Sequence, residues 1–171
     1  MRRTRSEWVD KNTMSHILMA LTEPNRLAIE MSIRYGMRIG DVLATKRKGV
    51  EHGSWTYKEE KTGKSRRIRL CPSFQARLLR QSGRIWVFEG RLSYKRHRTR
   101  QAVYKDIRRA SRAFRVKAHV SPHTARKMYA VDAFHRTRSV EQVMRLLNHS
   151  NEAVTMLYAL ADALTEKRRK H

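Results

Sequence analysis

The sequence predicts one folded domain that is mainly α-helical with one small antiparallel β-sheet, an α+β fold. Apolar residues recur at helical spacing through most of the chain, and prolines, glycines and serines stand where these segments begin or end. The spacing changes to the two-residue period of strands only between residues 54 and 70. The 171 residues, of which 40% are hydrophobic, are enough to bury a core.

Three helices are predicted before that sheet. "TMSHILMAL", residues 13–21, reads as a short amphipathic helix. "EPNRLAIEMSIRYG", residues 23–36, has Pro24 in its first turn and Gly36 at its end, where these two residue types are favoured in helices. "IGDVLAT", residues 39–45, is long enough for a third, short helix.

A β-hairpin is predicted from two short segments with alternating side chains. These are "SWTYK", residues 54–58, and "SRRIRL", residues 65–70. The loop between them, "EEKTGK", contains Gly63, which suits a tight turn.

Helical spacing returns after Pro72 in "SFQARLLRQ", whereas "RIWVF", residues 84–88, suits either a strand or a buried loop. "TRQAVYKDIRRASRAF", residues 99–114, is a clearer helix with a basic face. We expect its core face to consist of Ala102, Val103, Ile107, Ala110 and Phe114.

The last third of the chain is predicted to form three helices with serine caps. Ser121, followed by a proline, begins "SPHTARKMYAVDAFH", and Ser139, with a glutamine three residues later, begins "SVEQVMRLL". Ser150 can cap "SNEAVTMLYAL", a helix that places Tyr158 about two turns from its start.

The charge of the chain predicts its class of partner. It has 39 Lys and Arg against 15 Asp and Glu, a formal charge of +24, spread along its whole length. Because such a surface repels itself, we expect a polyanion, with nucleic acid favoured over a membrane surface. The sequence has neither a run of about 18 apolar residues nor a secretory signal, so we expect a soluble, cytoplasmic protein without a membrane partner. Cys71 is the single cysteine, which excludes an intrachain disulfide.

Arg38 and Lys61 are the first candidates for phosphate chemistry. Asp41 lies three residues after Arg38 and can orient its guanidinium by a charge-assisted hydrogen bond, which makes a better phosphate clamp. Lys61, in the hairpin loop, is long enough to reach into a DNA groove or to protonate a leaving oxygen. A surface ion pair and simple backbone contacts are the alternative roles of these residues.

Two further pairs of candidates lie in the last third of the chain. His123 and Arg126 share the first turn of a predicted helix, where the helix dipole and unpaired N–H groups favour an anion. A solvated basic face would give the same pattern. His149 and Tyr158 lie nine residues apart, and a tyrosine nucleophile would need such neighbouring cations to stabilise its oxyanion. Packing against the core is the alternative role of Tyr158.

Several other chemistries lack their motifs in this sequence. There is no glycine-rich phosphate loop, and no carboxylate pair has the spacing of a two-metal nuclease. His119 and His123 have a metal-ligand spacing, but Pro122 begins a helix between them and breaks that geometry. We therefore expect neither a metal nor another cofactor.

Taken in chain order, the six candidates resemble the catalytic residues of the tyrosine recombinases, the phage integrase family: Arg38, Lys61, His123, Arg126, His149 and Tyr158. "YGMRIGDVLA" resembles the first arginine box of that family and "EKTGKSRRIRL" its lysine hairpin. "HTARKMYA" resembles its His-x-x-Arg box and "LLNHSNEAVTMLYA" its nucleophile box. The resemblance covers roughly residues 14–160.

The resemblance implies a covalent mechanism on double-stranded DNA. Tyr158 would attack a phosphodiester and form a 3′-phosphotyrosyl bond, while the two arginines bind the non-bridging oxygens. Lys61 would protonate the departing 5′-oxygen. His123 would serve as general base or proton shuttle, and His149 would donate a hydrogen bond to the phosphate.

The chain departs from the family pattern at a few positions. Ala125 and Lys127 stand where Leu and His are usual, Asn148 stands where Gly is usual, and Asp41 stands where Glu is commoner. None of these changes removes a reacting group. Lys127 does alter the packing that a histidine would give there.

The resemblance also implies an organisation and an assembly. We expect a basic N-terminal extension at residues 1–12, the catalytic domain at 13–160, and at 161–171 a basic tail that docks on a neighbouring protomer or folds back. Most family members carry an additional N-terminal helical domain, so we expect either an excised catalytic domain or a minimal form. The implied partner is double-stranded DNA. We expect the protein to form a homotetramer on DNA and to be a monomer without it.

Three alternative functions stay open at the level of sequence. A type IB topoisomerase uses similar catalytic residues to relax DNA. A non-catalytic DNA-binding protein could keep the same fold, and a basic structural protein of a ribonucleoprotein could share the charge. The expected function is a site-specific recombinase or integrase from a phage or mobile element, acting at the nucleoid in the host cytoplasm.

Overall fold

Eight helices and one two-stranded sheet make up residues 6–148, the part of the chain that the computed structural model describes. The helices are α1 Lys11–Ala20, α2 Glu23–Tyr35, α3 Ile39–Leu43, α4 Arg47–Glu51, α5 Pro72–Gln81, α6 Arg100–Ala113, α7 Pro122–Thr137 and α8 Val140–Leu146. The strands are β1 Ser54–Lys58 and β2 Ser65–Arg69. The predicted fold class, mainly α with a small antiparallel sheet, is confirmed.

The ends of the helices confirm the caps predicted from the sequence. α2 has Pro24 in its first turn and ends at Gly36, which adopts the left-handed conformation with a φ of 63°. The side chains of Ser121 and Ser139 each accept a hydrogen bond from a backbone N–H of the following turn, at 3.2 Å in both cases. The predicted cap at Ser150 lies outside the described residues.

The hairpin forms as predicted from its alternating side chains. β1 and β2 pair antiparallel, from Ser54 opposite Arg69 to Lys58 opposite Ser65. Gly63 closes the connection with a φ of 67°, a conformation that glycine adopts without steric cost.

The core is built around α2, which packs along α7 and also contacts α1, α3 and α5. The largest fully buried apolar side chains of the described residues are Ile17, Leu27, Ile29, Met31, Met37, Leu43, Phe74, Leu78, Phe88, Ile107 and Leu147. Burying one such side chain contributes about 1.5–3 kcal/mol to folding. The carbonyl of Gly36, where α2 ends, accepts hydrogen bonds from Arg66 of the hairpin and from Arg126 of α7.

The prediction for the core face of α6 is wrong at one residue. Phe114 is 46% exposed, whereas Val103, Ile107 and Ala110 are buried. The helix ends at Ala113, so Phe114 leaves the helical spacing that the prediction assumed. Its ring instead stacks on His16 with the centroids 5.6 Å apart.

The conformation of two further segments could be assigned only from the tertiary structure. "RIWVF" is a loop whose Trp86 forms an isolated antiparallel bridge with Lys46, while Val87 and Phe88 are buried. α4 was not predicted, because its five residues include a glycine and no capping side chain.

Among the described residues, no helix combines the length and the apolar character needed to cross a bilayer.

Candidate active site

Arg38 lies at the junction between α2 and α3, as the residue that precedes the first turn of α3. Gly36 reverses the chain there, and the carbonyl of the buried Met37 accepts a hydrogen bond from Ser32 Oγ at 2.7 Å. Arg38 Nη1 donates to Glu59 Oε2 at 2.6 Å. A rigid backbone and a carboxylate therefore fix the position of this guanidinium.

Glu59 is a site residue that the sequence motifs did not identify. Its side chain is fully buried and accepts from Arg38 and from Thr62 Oγ1, the latter at 2.7 Å. Burial raises the pKa of Glu59, but the hydrogen bonds from Thr62 and Arg38 outweigh it and hold the pKa below its ordinary value. Glu59 is therefore ionised at neutral pH.

The strand pattern contains a signal for Glu59. Trp55 and Tyr57 are half-buried residues of β1, and Glu59 continues their two-residue period on the same face. A glutamate at an inward position of a strand requires a buried partner. The sequence does not say which of the many basic residues that partner is.

The turn that carries Lys61 is held on both sides of the lysine. The backbone N–H of Glu60 donates to Asp41 Oδ1 at 3.1 Å, and the hydroxyl of Thr62 donates to Glu59. Lys61 lies exposed between these two anchored residues. Its backbone position is thus set by carboxylates from α3 and from the end of β1.

Asp41 is buried, and burial raises the pKa of its carboxyl above the ordinary value although the Glu60 N–H and Arg38 lower it. The carboxylate holds the lysine turn through the Glu60 amide. Its predicted role of orienting the Arg38 guanidinium stays a prediction, since Arg38 donates the bond at 2.6 Å to Glu59.

Arg126 lies in the first half of α7 and is 1% exposed. Its Nη1 donates to the carbonyl of Gly36 at 2.7 Å, and its Nη2 donates to the carbonyl of Leu147 at 3.2 Å. The arginine thus joins the junction that precedes Arg38 to the end of α8. Backbone carbonyls orient the guanidinium without cancelling its charge.

Arg66 is a second residue that the motifs did not identify. It donates to the carbonyls of Tyr35 and Gly36, the latter at 3.3 Å, and its Nη1 lies 4.0 Å from Glu59 Oε1. The Gly36 carbonyl therefore accepts from both Arg66 and Arg126. The sequence signal for Arg66 is its inward position in β2, two residues before the buried Ile68.

His123 is exposed at the first turn of α7, three residues before the buried Arg126. Ser121 and Thr124 form a capping box that fixes this turn, because each side chain accepts from the other's backbone. The Thr124 hydroxyl also donates to the carbonyl of Glu7 at 2.9 Å. The structure thus presents His123 to solvent at the positive end of a helix.

The end of α8 is the last described part of the site. Asn148 has a φ of 59°, the left-handed conformation that asparagine tolerates better than other side chains, which accounts for its place where the family has Gly. Its carbonyl accepts from Lys64 Nζ at 3.3 Å. His149 and Tyr158 lie outside the described residues, so their predicted roles stay predictions.

A basic groove of about 610 Å³ adjoins this network between the hairpin, α7 and α8. Its arginines are Arg34, Arg66, Arg67, Arg69, Arg136 and Arg145. No carboxylate lines it among the described residues. Such a surface suits a phosphate backbone.

The structure places Arg38, Arg126 and the turn that carries Lys61 in two neighbouring hydrogen-bonded groups. Arg38 connects through Glu59 to the turn of Lys61, and Arg126 connects to both Gly36 and the segment before His149. Arg66 lies between the two groups, since it donates to the Gly36 carbonyl and its Nη1 lies 4.0 Å from Glu59 Oε1.

A family model for the phage integrase family matches residues 7–164 of the sequence. The chain belongs to the phage integrase family.

A relative in the family is the probable integrase/recombinase YoeC of Bacillus subtilis (strain 168). The two sequences are 28% identical over 141 residues, which cover 79% of this chain and 76% of the relative.

Solved structures share the fold of this family member at low sequence identity. A lambda integrase (residues 75–356) dimer bound to a COC′ core site has a TM-score of 0.72 and 19% identity, covering 94% of this chain and 61% of that one. XerA recombinase has a TM-score of 0.70 and 16% identity, covering 100% and 66%. The catalytic domain of bacteriophage HP1 integrase has a TM-score of 0.65 and 16% identity, covering 91% and 88%. The chain thus spans less than two thirds of the lambda integrase and XerA chains.

Proposed function

We propose that this phage integrase family member is a site-specific recombinase that cleaves and rejoins DNA strands through a covalent tyrosine intermediate. The observation that supports this most is the network around Gly36 and Glu59, which holds two arginines and the turn of a lysine together. The basic groove beside it suits the DNA backbone. A phage or another mobile element is the proposed source.

The proposed reaction begins with attack of the Tyr158 hydroxyl on a phosphodiester. A bond forms between the tyrosine oxygen and phosphorus, and the bond from phosphorus to the 5′-oxygen breaks. His123 takes the phenolic proton or relays it, and Lys61 gives a proton to the departing 5′-oxygen. The strand is left with a 3′-phosphotyrosyl bond and a free 5′-hydroxyl.

Three positive side chains stabilise the negative charge that builds on the phosphate in this reaction. Arg38 and Arg126 bind the non-bridging oxygens, and His149 donates a further hydrogen bond. Preorganised donors of this kind contribute about 10²–10³-fold each to a rate. The phosphotyrosyl bond conserves the energy of the broken bond, so religation needs neither ATP nor a metal ion.

The proposed partner is double-stranded DNA, on which the protein assembles as a homotetramer. Lambda integrase structures include a dimer bound to a COC′ core site and a tetramer bound to a Holliday junction. We propose that this chain is monomeric without DNA, because the charge of +24 opposes association until phosphates neutralise it. It would act in the cytoplasm, at the nucleoid.

Capture of the covalent intermediate tests the proposal. The chain is incubated with a pool of nicked duplexes of randomised sequence, in which the short strand released after attack diffuses away. We expect an SDS-resistant protein–DNA adduct with the native chain, none with Tyr158→Phe, and an unchanged yield with Tyr104→Phe, which removes an exposed hydroxyl from α6. An adduct that survives Tyr158→Phe would reject this nucleophile, and no adduct with any chain would favour a DNA-binding role.

A further inference from the structure

Glu59 is a buried carboxylate in a chain with a formal charge of +24, and only 1% of it is exposed. Removing an ionised carboxylate from water is unfavourable unless charged and polar groups compensate for the loss. The compensating groups come from three different segments: Arg38 before α3, Thr62 in the turn and Arg66 in β2. Such a residue is placed to fix these segments relative to one another.

A single oxygen of Glu59 joins two parts of the proposed active site. Oε2 accepts from Arg38 Nη1 at 2.6 Å and from Thr62 Oγ1 at 2.7 Å. Thr62 follows Lys61 directly in the turn. The proposed phosphate-binding arginine and the turn of the proposed proton-donating lysine therefore both contact one atom.

The other oxygen of Glu59 faces the connection to the second arginine. Oε1 lies 4.0 Å from Arg66 Nη1, and Arg66 donates to the Gly36 carbonyl that Arg126 also binds. The backbone supports the same arrangement, since the Glu59 N–H donates to the Lys64 carbonyl at 3.0 Å and its carbonyl accepts from Gly63 at 2.9 Å.

We propose that Glu59 is a positioning residue of the strand-cleavage reaction, which sets the distance between Arg38 and the turn that carries Lys61. This inference rests on the proposed function. Glu59 touches neither the phosphate nor the leaving oxygen in the proposed mechanism and acts through Arg38 and Thr62. Displacing a catalytic group by about 1 Å costs on the order of 100-fold in rate.

Electrostatics gives a second role that the experiment must separate from positioning. A carboxylate beside Arg38 reduces the positive charge that the phosphate meets. If Glu59 acted mainly by masking this charge, its neutralisation would speed cleavage. If it positions the two groups, neutralisation slows cleavage.

The test uses Glu59→Gln, which keeps the shape of the side chain, with Glu51→Gln as the control. Glu51 is an exposed carboxylate on α4, so the control makes the same change in net charge away from the site. Single-turnover adduct formation is measured at saturating protein on a nicked duplex recovered from the randomised pool. We expect Glu59→Gln to slow it about 10–100-fold, with DNA affinity within about threefold of the native chain.

A substrate with sulfur in place of the bridging 5′-oxygen separates the lysine from the arginine. A thiolate leaves without a proton, so this duplex does not need Lys61. We expect it to restore part of the Glu59→Gln loss and nearly all of the loss in Thr62→Val, which removes only the contact to the turn. Thr62→Ser, which keeps the hydroxyl, should cleave ordinary DNA at close to the native rate.

The outcomes distinguish the inference from the function on which it rests. If the native chain forms no adduct, the proposed function fails. If the native chain forms an adduct and Glu59→Gln cleaves at the native rate or faster, the positioning role is rejected. The positioning role is also rejected if the slower cleavage by Glu59→Gln is fully explained by a smaller folded fraction, measured by circular dichroism. It is rejected as well if the sulfur-substituted duplex restores cleavage in neither Glu59→Gln nor Thr62→Val.

Discussion

The two arginines proposed to bind the phosphate have different kinds of partner. Arg126 is buried and donates to the carbonyls of Gly36 and Leu147, which are fixed by the backbone. Arg38 is 10% exposed and donates to the carboxylate of Glu59, which carries a full negative charge. Carbonyls orient a guanidinium at no loss of charge, whereas a carboxylate orients it and partly neutralises it.

This difference separates two tasks within one site. The region around Arg126 is buried, so it contributes to the geometry of the fold as well as to that of the proposed phosphate site. The region around Arg38 is a largely buried charged pair that joins the segment before α3 to the residue after β1. Substitutions in the first region should therefore affect folding through packing and backbone geometry, and those in the second should affect it through one buried ion pair.

The largest effect is expected for Arg126→Lys. An ammonium cannot reach both carbonyls with the planar geometry of a guanidinium, so cleavage should fall about 10²–10³-fold. DNA affinity should change little, because the basic surface supplies many other phosphate contacts. Single-turnover cleavage and a salt-dependent binding titration measure the two quantities.

Arg47→Lys is the matched control for this prediction. Arg47 lies on α4, does not line the basic groove, and pairs with Glu51 at 2.8 Å. It should keep the native cleavage rate. Equal and large losses of binding and cleavage in Arg126→Lys would mean that Arg126 serves binding rather than the transition state.

A smaller effect, on stability rather than chemistry, is expected for Gly36→Ala. The φ of 63° costs an alanine about 1–2 kcal/mol, and its methyl group would overlap the ring of Tyr129. Gly63→Ala has the same kind of φ but meets only Lys58 Cε at 3.7 Å. We expect Gly36→Ala to lower the free energy of unfolding in urea by more than Gly63→Ala does, and equal losses would contradict the close packing at this junction.

The smallest effect is the pH dependence of the Arg38 and Glu59 pair. Because the folded pKa of Glu59 is lower than the unfolded one, its stabilisation is complete above about pH 4.3, the ordinary value. It is lost as the pH falls through the folded pKa. Chemical denaturation of the native chain and Glu59→Gln should therefore differ at neutral pH and converge in acid.

Asp41 provides the comparison of opposite sign. Its folded pKa is raised by burial, so ionisation costs stability as the pH rises from about 3.9 through the folded value. Asp41→Asn should thus remove a cost at neutral pH instead of a gain. If the two variants shift the stability profile in the same direction, the carboxylates do not differ as the structure indicates.

Much of the fold could be predicted because its signals are local. Pro24, Gly36, Ser121 and Ser139 mark helix ends through bonds and dihedral angles within a few residues of themselves. Phe114 was misplaced because helical spacing does not tell where a helix stops. The motifs predicted the order of the first four candidate residues but not their contacts.

The sequence alone determined the helix caps, the hairpin, the strong positive charge and the order of the six candidate residues. Each of these depends on residues near one another in the chain or on composition. Only the tertiary structure decided that Glu59 pairs with Arg38 and that Arg126 binds Gly36, 90 residues away. In a chain with 39 basic residues, any carboxylate has many complementary partners, and packing selects the one that it meets.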